Sequence, residues 1–450
     1  MRDATASLRH SSLCRQLSLL ARGEVSARSL TEAYLQAIET ENPERNAFWV
    51  IDQEGALAAA EASDLRRARG EPLGRLDGIP LAIKDNLDVK GLATSAGLVG
   101  RRQRIAEQDA HCVARLRGAG AVILGKTSLD EAMLGTTGAH PTFGHVPHPQ
   151  DAQLAAGGSS AGSAVAVAAG LASAAIGTDT LGSVRIPAAF CGVFALRPTL
   201  GEISCSGAVP ALPRLDAIGP MARSLDDLTV LLQVMSGYDP ADPRSRRRRV
   251  PLALPDWEPG SLRCGVIADA GDLGADAAAV AAFNRALSEA APVLGQAIPV
   301  PLAGYELARL RRNALLMMEA GLAALPAAEL EGASARLLSM LDFARCKSAI
   351  HYAQADRALD AAVVATRRLF EGIDVLLLPT VPQSPPLLGA EEPSHLADFC
   401  SFASLAGCPA LTLPLPDHLG LSLVGPPGSD LRLLELGEVV GAMLGGDAPG

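Results

Sequence analysis

From Gly157 to Arg185 the chain reads GGSSAGSAVAVAAGLASAAIGTDTLGSVR, with no charged side chain before Asp179. Clustered glycines and tiny side chains let backbones approach closely, which suits a tightly packed interior. Residues 161–177 are the most apolar stretch, yet small polar residues interrupt it and Gly-rich turns flank it. That pattern fits a buried core helix rather than a membrane span. The segment reads as a Gly/Ser turn, a helix of tiny residues, a strand over 174–177 and a second turn over 179–183. Strands alternating with helices predict an α/β fold, a large β-sheet covered by helices on both faces.

The remainder supports that reading. Helical spacing predicts helices over 26–40, 56–69, 110–118, 225–236 and 275–291, and a largely helical stretch over 336–370. Strands are expected over 76–83, 121–124, 263–269 and 374–378, Ser128 caps a following helix, and 210–220 reads as a loop. A Pro-, Arg- and Asp-rich stretch, 239–260, divides an N-terminal part, 1–238, from a second lobe, 261–450, that completes the same domain. The chain has 450 residues and only 3% aromatics, so its core is built of small and aliphatic side chains.

Charge and cysteine usage narrow the function. The net charge of −10 makes the chain a poor ligand for phosphate backbones, so no nucleic-acid partner is expected. Arg246 to Arg249 form the one basic run; it reads as a solvated loop, with a site for anions as the alternative. Eight cysteines without a C-x-x-C pair offer no metal-ligand spacing, and no metal or cofactor is expected. Reduced thiols are the default for a chain this long, and with no apolar N-terminal stretch a cytoplasmic protein without membrane attachment is expected.

Three segments make little sense as packing alone. In GIPLAIKDN, 78–86, Lys84 ends an apolar run. A buried ammonium must pair with an anion or give up its proton; a salt bridge to adjacent Asp85 and a solvent-facing end of the strand are the alternatives. In GGSSAGSA, 157–164, small hydroxyls can donate and accept in a confined space; a linker or an anion-binding turn remain alternatives, though no P-loop lysine follows. In GTDTLGSVR, 177–185, a Ser on a Gly-containing turn can sit among converging backbone N–H groups, or the turn can be a surface one capped by Asp179. His111, His140, His145, His148 and His418 are scattered without a triad-like pattern.

Together the three segments resemble the amidase signature family. Its motifs G-x-P-x-x-x-K-D, G-G-S-S-x-G-S and G-T-D-x-x-G-S-x-R fall on Lys84, Ser159 and Ser183, and Ser183 follows Ser159 by 24 residues, as in that family. Residues 215–224, 374–382 and 423–427 resemble its later segments. The resemblance implies the amidase signature fold, with Ser183 as nucleophile, Lys84 as base, and Ser159, held by a cis peptide, relaying the proton. It implies an oxyanion hole from the backbone N–H groups of Thr180, Leu181, Gly182 and Ser183. Asp179, Arg185 and Ser160 would support the loop without joining the chemistry. The activity implied is hydrolysis of a small-molecule carboxylic amide to acid and ammonia or amine through an acyl-serine. The alternatives are a carboxybiuret- or allophanate-type ureido hydrolase, the A subunit of an amidotransferase, or an inactive scaffold subunit; a homodimer is allowed. Leu181 stands where the family commonly has Gly, Ala161 replaces a frequent Gly, His148-Pro149 replaces Asn-Pro, and the 414–423 segment is short.

Overall fold

The computed structural model describes residues 7–247, 258, 260–295 and 297–445. Arg248, Arg249 and most of the Pro-rich stretch after them lie outside these, as do 446–450 of the Gly-rich tail; Arg246 and Arg247 are exposed. The described residues form a mixed α/β structure around one sheet. Its strands are β1 (Phe48–Ile51), β2 (Pro80–Lys84), β3 (Val122–Thr127), β4 (Ala174–Asp179), β5 (Phe194–Arg197), β6 (Ala217–Ala222), β7 (Cys264–Ile267), β8 (Ala297–Val300), β9 (Val375–Pro379), β10 (Ala410–Leu415) and β11 (Leu419–Val424). They lie in the order β1-β3-β2-β4-β6-β5-β10-β11-β9-β7-β8. β2 runs parallel to β3 and β4, β7 runs parallel to β8 and β9, and the strands between these two groups pair antiparallel. Strands buried along their whole length, such as Ala-Ala-Ile-Gly-Thr-Asp in β4 and Val-Leu-Leu-Leu-Pro in β9, read as continuous rather than alternating apolar runs because helices pack against the sheet.

The helices of the first half start where their caps say they should. The Ser26 side chain accepts from the Ser29 N–H at the head of Ala27–Arg45, and Ser224 accepts from Asp227 N–H at the head of Leu225–Met235, each satisfying an otherwise orphan donor. The helical stretch expected over 336–370 is two helices, Ala335–Arg345 and Ala349–Gly372.

Several expectations need correction. Residues 217–220, expected to end a loop over 210–220, belong instead to β6 in the middle of the sheet between β4 and β5. Pro220 argues against a central strand because it cannot donate to the ladder, yet it sits opposite Ile176 in register. The strand expected from residue 76 starts only at Pro80, after a turn containing Gly78 at φ 83°, and it runs on through Lys84. Ser128 caps no helix: its backbone N–H donates to Ala47 O, and only a short 3-10 turn, Glu131–Met133, follows. The short 414–423 segment is a hairpin, β10 turning into β11 through residues 416–418.

The sheet also settles where the charges of the first motif go. Lys126 of β3 stands beside Ile83, and Lys84, next along the strand, points to the opposite face; Asp85, in the turn after β2, folds to the Lys126 side. Asp85 accepts from Lys126 Nζ of β3 at 2.8 Å, from Ser95 N–H at 3.1 Å and from the Ser95 hydroxyl. Lys126 and Asp85 are both fully buried. Removing one member of such a pair strands the other charge without solvent. Lys126→Met is therefore expected to cost about 3–5 kcal/mol in urea unfolding, with part of the loss recovered when Asp85→Leu is added. An unchanged unfolding midpoint for Lys126→Met alone contradicts this account.

Candidate active site

Parallel pairing sets Ile83 of β2 beside Ile176 of β4, so both strands end on the same side, where crevices form in α/β sheets. Lys84 leaves the end of β2 fully buried. Its Nζ lies 2.9 Å from Ser159 Oγ, 3.0 Å from Thr178 Oγ1 and 3.3 Å from Thr178 O. It forms no ion pair among the described residues. Burial pushes this ammonium down to about 7; Asp130, Asp179 and Asp216 pull the other way without overcoming it. Asn86 donates to Thr178 Oγ1 at 3.1 Å and holds that acceptor in place.

Ser159 enters through a cis peptide, Gly158–Ser159. Gly158 has no room for a side chain: a Cβ there would lie 2.0 Å from Asp130 Oδ2. Asp130 is buried and receives the Gly138 N–H on both oxygens at 3.1 Å. Burial pushes its carboxyl up to about 7, with Glu392 adding to the effect. The next residue, Ser160, opens the helix Ala161–Ala168. Its N–H donates to Ser183 O at 3.1 Å and its hydroxyl to Thr178 O at 3.2 Å. The second motif is thereby tied to both β4 and the third motif.

The third motif is organised around Asp179. Its carboxylate accepts Gly182 N–H at 2.9 Å, Val184 N–H at 3.2 Å, Arg185 Nε and Nη2 at 3.0 and 2.9 Å, and Arg197 Nη1 at 2.9 Å. Burial alone would raise this carboxyl; the two guanidiniums outweigh it and hold the group well below the usual carboxylate range. Arg185 reaches on to Cys400 O and Ser404 Oγ, both at 2.8 Å. Thr180 Oγ1 donates to Asp216 Oδ1 at 2.6 Å. Gly182 turns the loop at φ 121°, in the region that favours glycine, and a Cβ there would stand 2.6 Å from Cys400 Cβ. Because the Gly182 N–H is taken by Asp179, the expected set of four donors narrows to three. The N–H groups of Thr180, Leu181 and Ser183 find no protein acceptor among the described residues.

Ser183 faces a cavity of about 340 Å³. Leu181 lines it from the same loop, Ile186 from the helix Arg185–Cys191 that follows, Arg311, Leu315 and Met318 from the helix Leu307–Ala323, and Met133, Leu134 and Met340 from elsewhere in the chain. The Leu181 side chain is thus part of the cavity wall.

All three sequence motifs meet here. The histidines do not: His140 and His148 bond backbone carbonyls of Gly97 and Phe190, and His145 accepts the His140 N–H. Among the described residues no cluster of His, Cys, Asp and Glu could hold a metal ion, and no helix is long and apolar enough to cross a membrane. Sequence reasoning missed Thr178, Asn86, Asp130, Asp216 and Arg197. Thr178 and Asn86 lie inside the quoted motifs and were within reach of inspection. Asp216 lies in the 215–224 segment, which is matched as a whole without a role for its acid; Asp130 and Arg197 come from segments with no periodic or spacing signal.

A serine-bearing loop with open N–H donors lies beside a lysine whose proton affinity burial has lowered, in an α/β fold. The chain belongs to the Amidase family, whose sequence pattern matches residues 29–434. It is 36% identical to the A subunit of the glutamyl-tRNA(Gln) amidotransferase of Roseiflexus castenholzii over 462 residues, covering 93% of each chain. It is 34% identical to AtzE, the 1-carboxybiuret hydrolase subunit of Pseudomonas sp. strain ADP, covering 94% of this chain and 96% of that one. Among solved structures it resembles a 6-aminohexanoate cyclic dimer hydrolase complexed with substrate, at TM-score 0.85, 27% identity and 97% coverage of both chains.

Proposed function

We propose that the protein hydrolyses a small carboxylic amide through an acyl-enzyme on Ser183, with Lys84 as base and Ser159 as proton relay. The observation that carries this reading is Lys84: buried, without a carboxylate partner among the described residues, 2.9 Å from Ser159 Oγ and shifted to about 7. A fall from 10.5 to about 7 raises the free-amine fraction at neutral pH by roughly three orders of magnitude. A neutral amine has two donors and one lone pair. The donors serve Thr178 O and Oγ1, which leaves the lone pair for the Ser159 hydroxyl.

In the first half-reaction Ser183 Oγ bonds to the carbonyl carbon while its proton passes to Ser159 and the Ser159 proton passes to Lys84 Nζ. Charge on the carbonyl oxygen is met by the N–H groups of Thr180, Leu181 and Ser183; losing one such donor costs about 3–4 kcal/mol of transition-state stabilisation. The C–N bond then breaks and the departing nitrogen takes the proton back along the same path. Water attacks the acyl-serine by the reverse sequence and releases the acid. Asp179, braced by Arg185 and Arg197, keeps the loop in shape and takes no part in proton transfer.

An amidotransferase subunit is the second reading, favoured by the Roseiflexus relative. Such a subunit works with partners, so ammonia release by the isolated chain from simple amides separates the two.

Ser183→Ala should abolish ammonia release and labelling by a fluorophosphonate probe while the unfolding midpoint stays near that of the parent protein. Wild-type labelling elsewhere than Ser183 overturns the assignment. The kcat/KM of the wild type should rise with pH through about 7 and level off above it, because only the unprotonated lysine accepts a proton; Asp130, pushed to the same range, shares in that limb. A flat profile from about pH 5 to 9 with an intact fold speaks against Lys84 as base. Leu181→Gly should raise kcat/KM for amides branched beside the scissile carbonyl relative to unbranched ones, since it removes a wall beside Ser183. An unchanged ratio with a lowered Tm places Leu181 in packing alone.

A further inference from the structure

Arg311 stands one turn before Leu315 and two before Met318 on the helix Leu307–Ala323, and all three line the cavity that holds Ser183. Its Nε donates to Asp398 Oδ1, and both side chains of this pair are nearly buried. That bond uses one of the five N–H donors of a guanidinium. Neither Nη1 nor Nη2 finds an acceptor among the described residues, and neither is sealed from open space. A guanidinium fixed through Nε presents its two terminal nitrogens as a planar fork, the geometry that matches the two oxygens of a carboxylate.

The other charges of the cavity are already engaged or stand at its mouth. Glu392 accepts Thr136 N–H, Thr136 Oγ1 and Arg336 Nη2, and Arg336 and Glu391 are exposed. Of the rest of the lining, Leu181, Ile186, Leu315, Met318, Met340 and Leu396 are apolar, and Thr136 and Ser394 are the uncharged polar side chains besides Ser183. Such apolar walls suit methylene groups; the N–H and C=O groups of a ureido chain would lose their hydrogen bonds against them.

We propose that Arg311 is a specificity-determining residue that receives a carboxylate at the far end of the acyl chain, so that the substrates are half-amides of aliphatic dicarboxylic acids. The inference rests on the reading of Ser183 as nucleophile. Asp398 positions the guanidinium through Nε and leaves both terminal nitrogens to the substrate.

The test compares each acid with the neutral amide in which an isopropyl group replaces the carboxylate: succinamate with 4-methylpentanamide, glutaramate with 5-methylhexanamide, adipamate with 6-methylheptanamide. In at least one pair the wild type should favour the acid by about tenfold or more in kcat/KM. Arg311→Met should lower that ratio about tenfold or more, chiefly through KM, and Arg311→Lys should restore part of it. Arg311→Met/Asp398→Asn, which removes both charges, carries the same ratio test if the single variant unfolds. Acid-to-neutral ratios at or below one in all three pairs overturn the proposal, as does a ratio unchanged in Arg311→Met, or a faster rate on ureidoacetate than on any aliphatic acid. Fluorophosphonate labelling of Ser183 separates the two levels. Labelled enzyme without acid preference, or labelled enzyme that cleaves none of the acids, overturns this inference alone. Unlabelled, inactive enzyme overturns the nucleophile assignment with it.

Discussion

A lysine at the end of a buried strand ordinarily keeps its charge by finding a carboxylate, and this chain places one immediately after it. The turn after the strand prevents the meeting. Asp85 is turned to the opposite face, where Lys126 of the neighbouring strand and Ser95 occupy it. Lys84 is left with two hydroxyls and a carbonyl, none of them able to offset an ammonium. Desolvation is then the dominant effect on its proton affinity. Three more distant carboxylates soften that effect and do not cancel it. The buried Asp85–Lys126 pair thus contributes to chemistry by keeping a charge away from it.

The second requirement is a rigid loop, and the solution there is the opposite: a carboxylate saturated with partners. Asp179 takes two backbone N–H groups from its own loop and three N–H groups from two arginines. Buried charges this well hydrogen-bonded fix geometry more than they stabilise the fold. One cost is visible, since the Gly182 N–H that serves Asp179 is lost to any substrate. The site therefore holds two buried charge systems with opposite logic, one satisfied to the last lone pair and one deliberately short of a counter-ion.

Much of this was legible in the sequence because it is local. The run of tiny residues announced close packing, the lysine ending an apolar run announced an energetic problem, and the spacing of the two serines matched a known pattern. The alternative that Lys84 pairs with Asp85 could not be decided from spacing, because it depends on which residue of β3 stands across from Asp85. β6 was misread as loop because Pro220 and Gly219 interrupt an apolar pattern that the sheet nonetheless tolerates. Asp130 and Arg311 carry no local signature at all. Their roles arise from chain segments brought together by tertiary structure, which periodicity does not report.

The helix Asp398–Ala406 touches two of these systems at once. Its first residue braces Arg311 at the cavity, and Cys400 O and Ser404 Oγ, two and six residues later, hold Arg185 behind the Ser183 loop. The proposed recognition and reactive groups are therefore both braced from one helix that lies more than 200 residues beyond Ser183 in sequence. A fragment ending before that helix would retain the three motifs around Lys84, Ser159 and Ser183 and lack the side chains that brace them. Exchange of this one helix between relatives would, for the same reason, alter selectivity and turnover together.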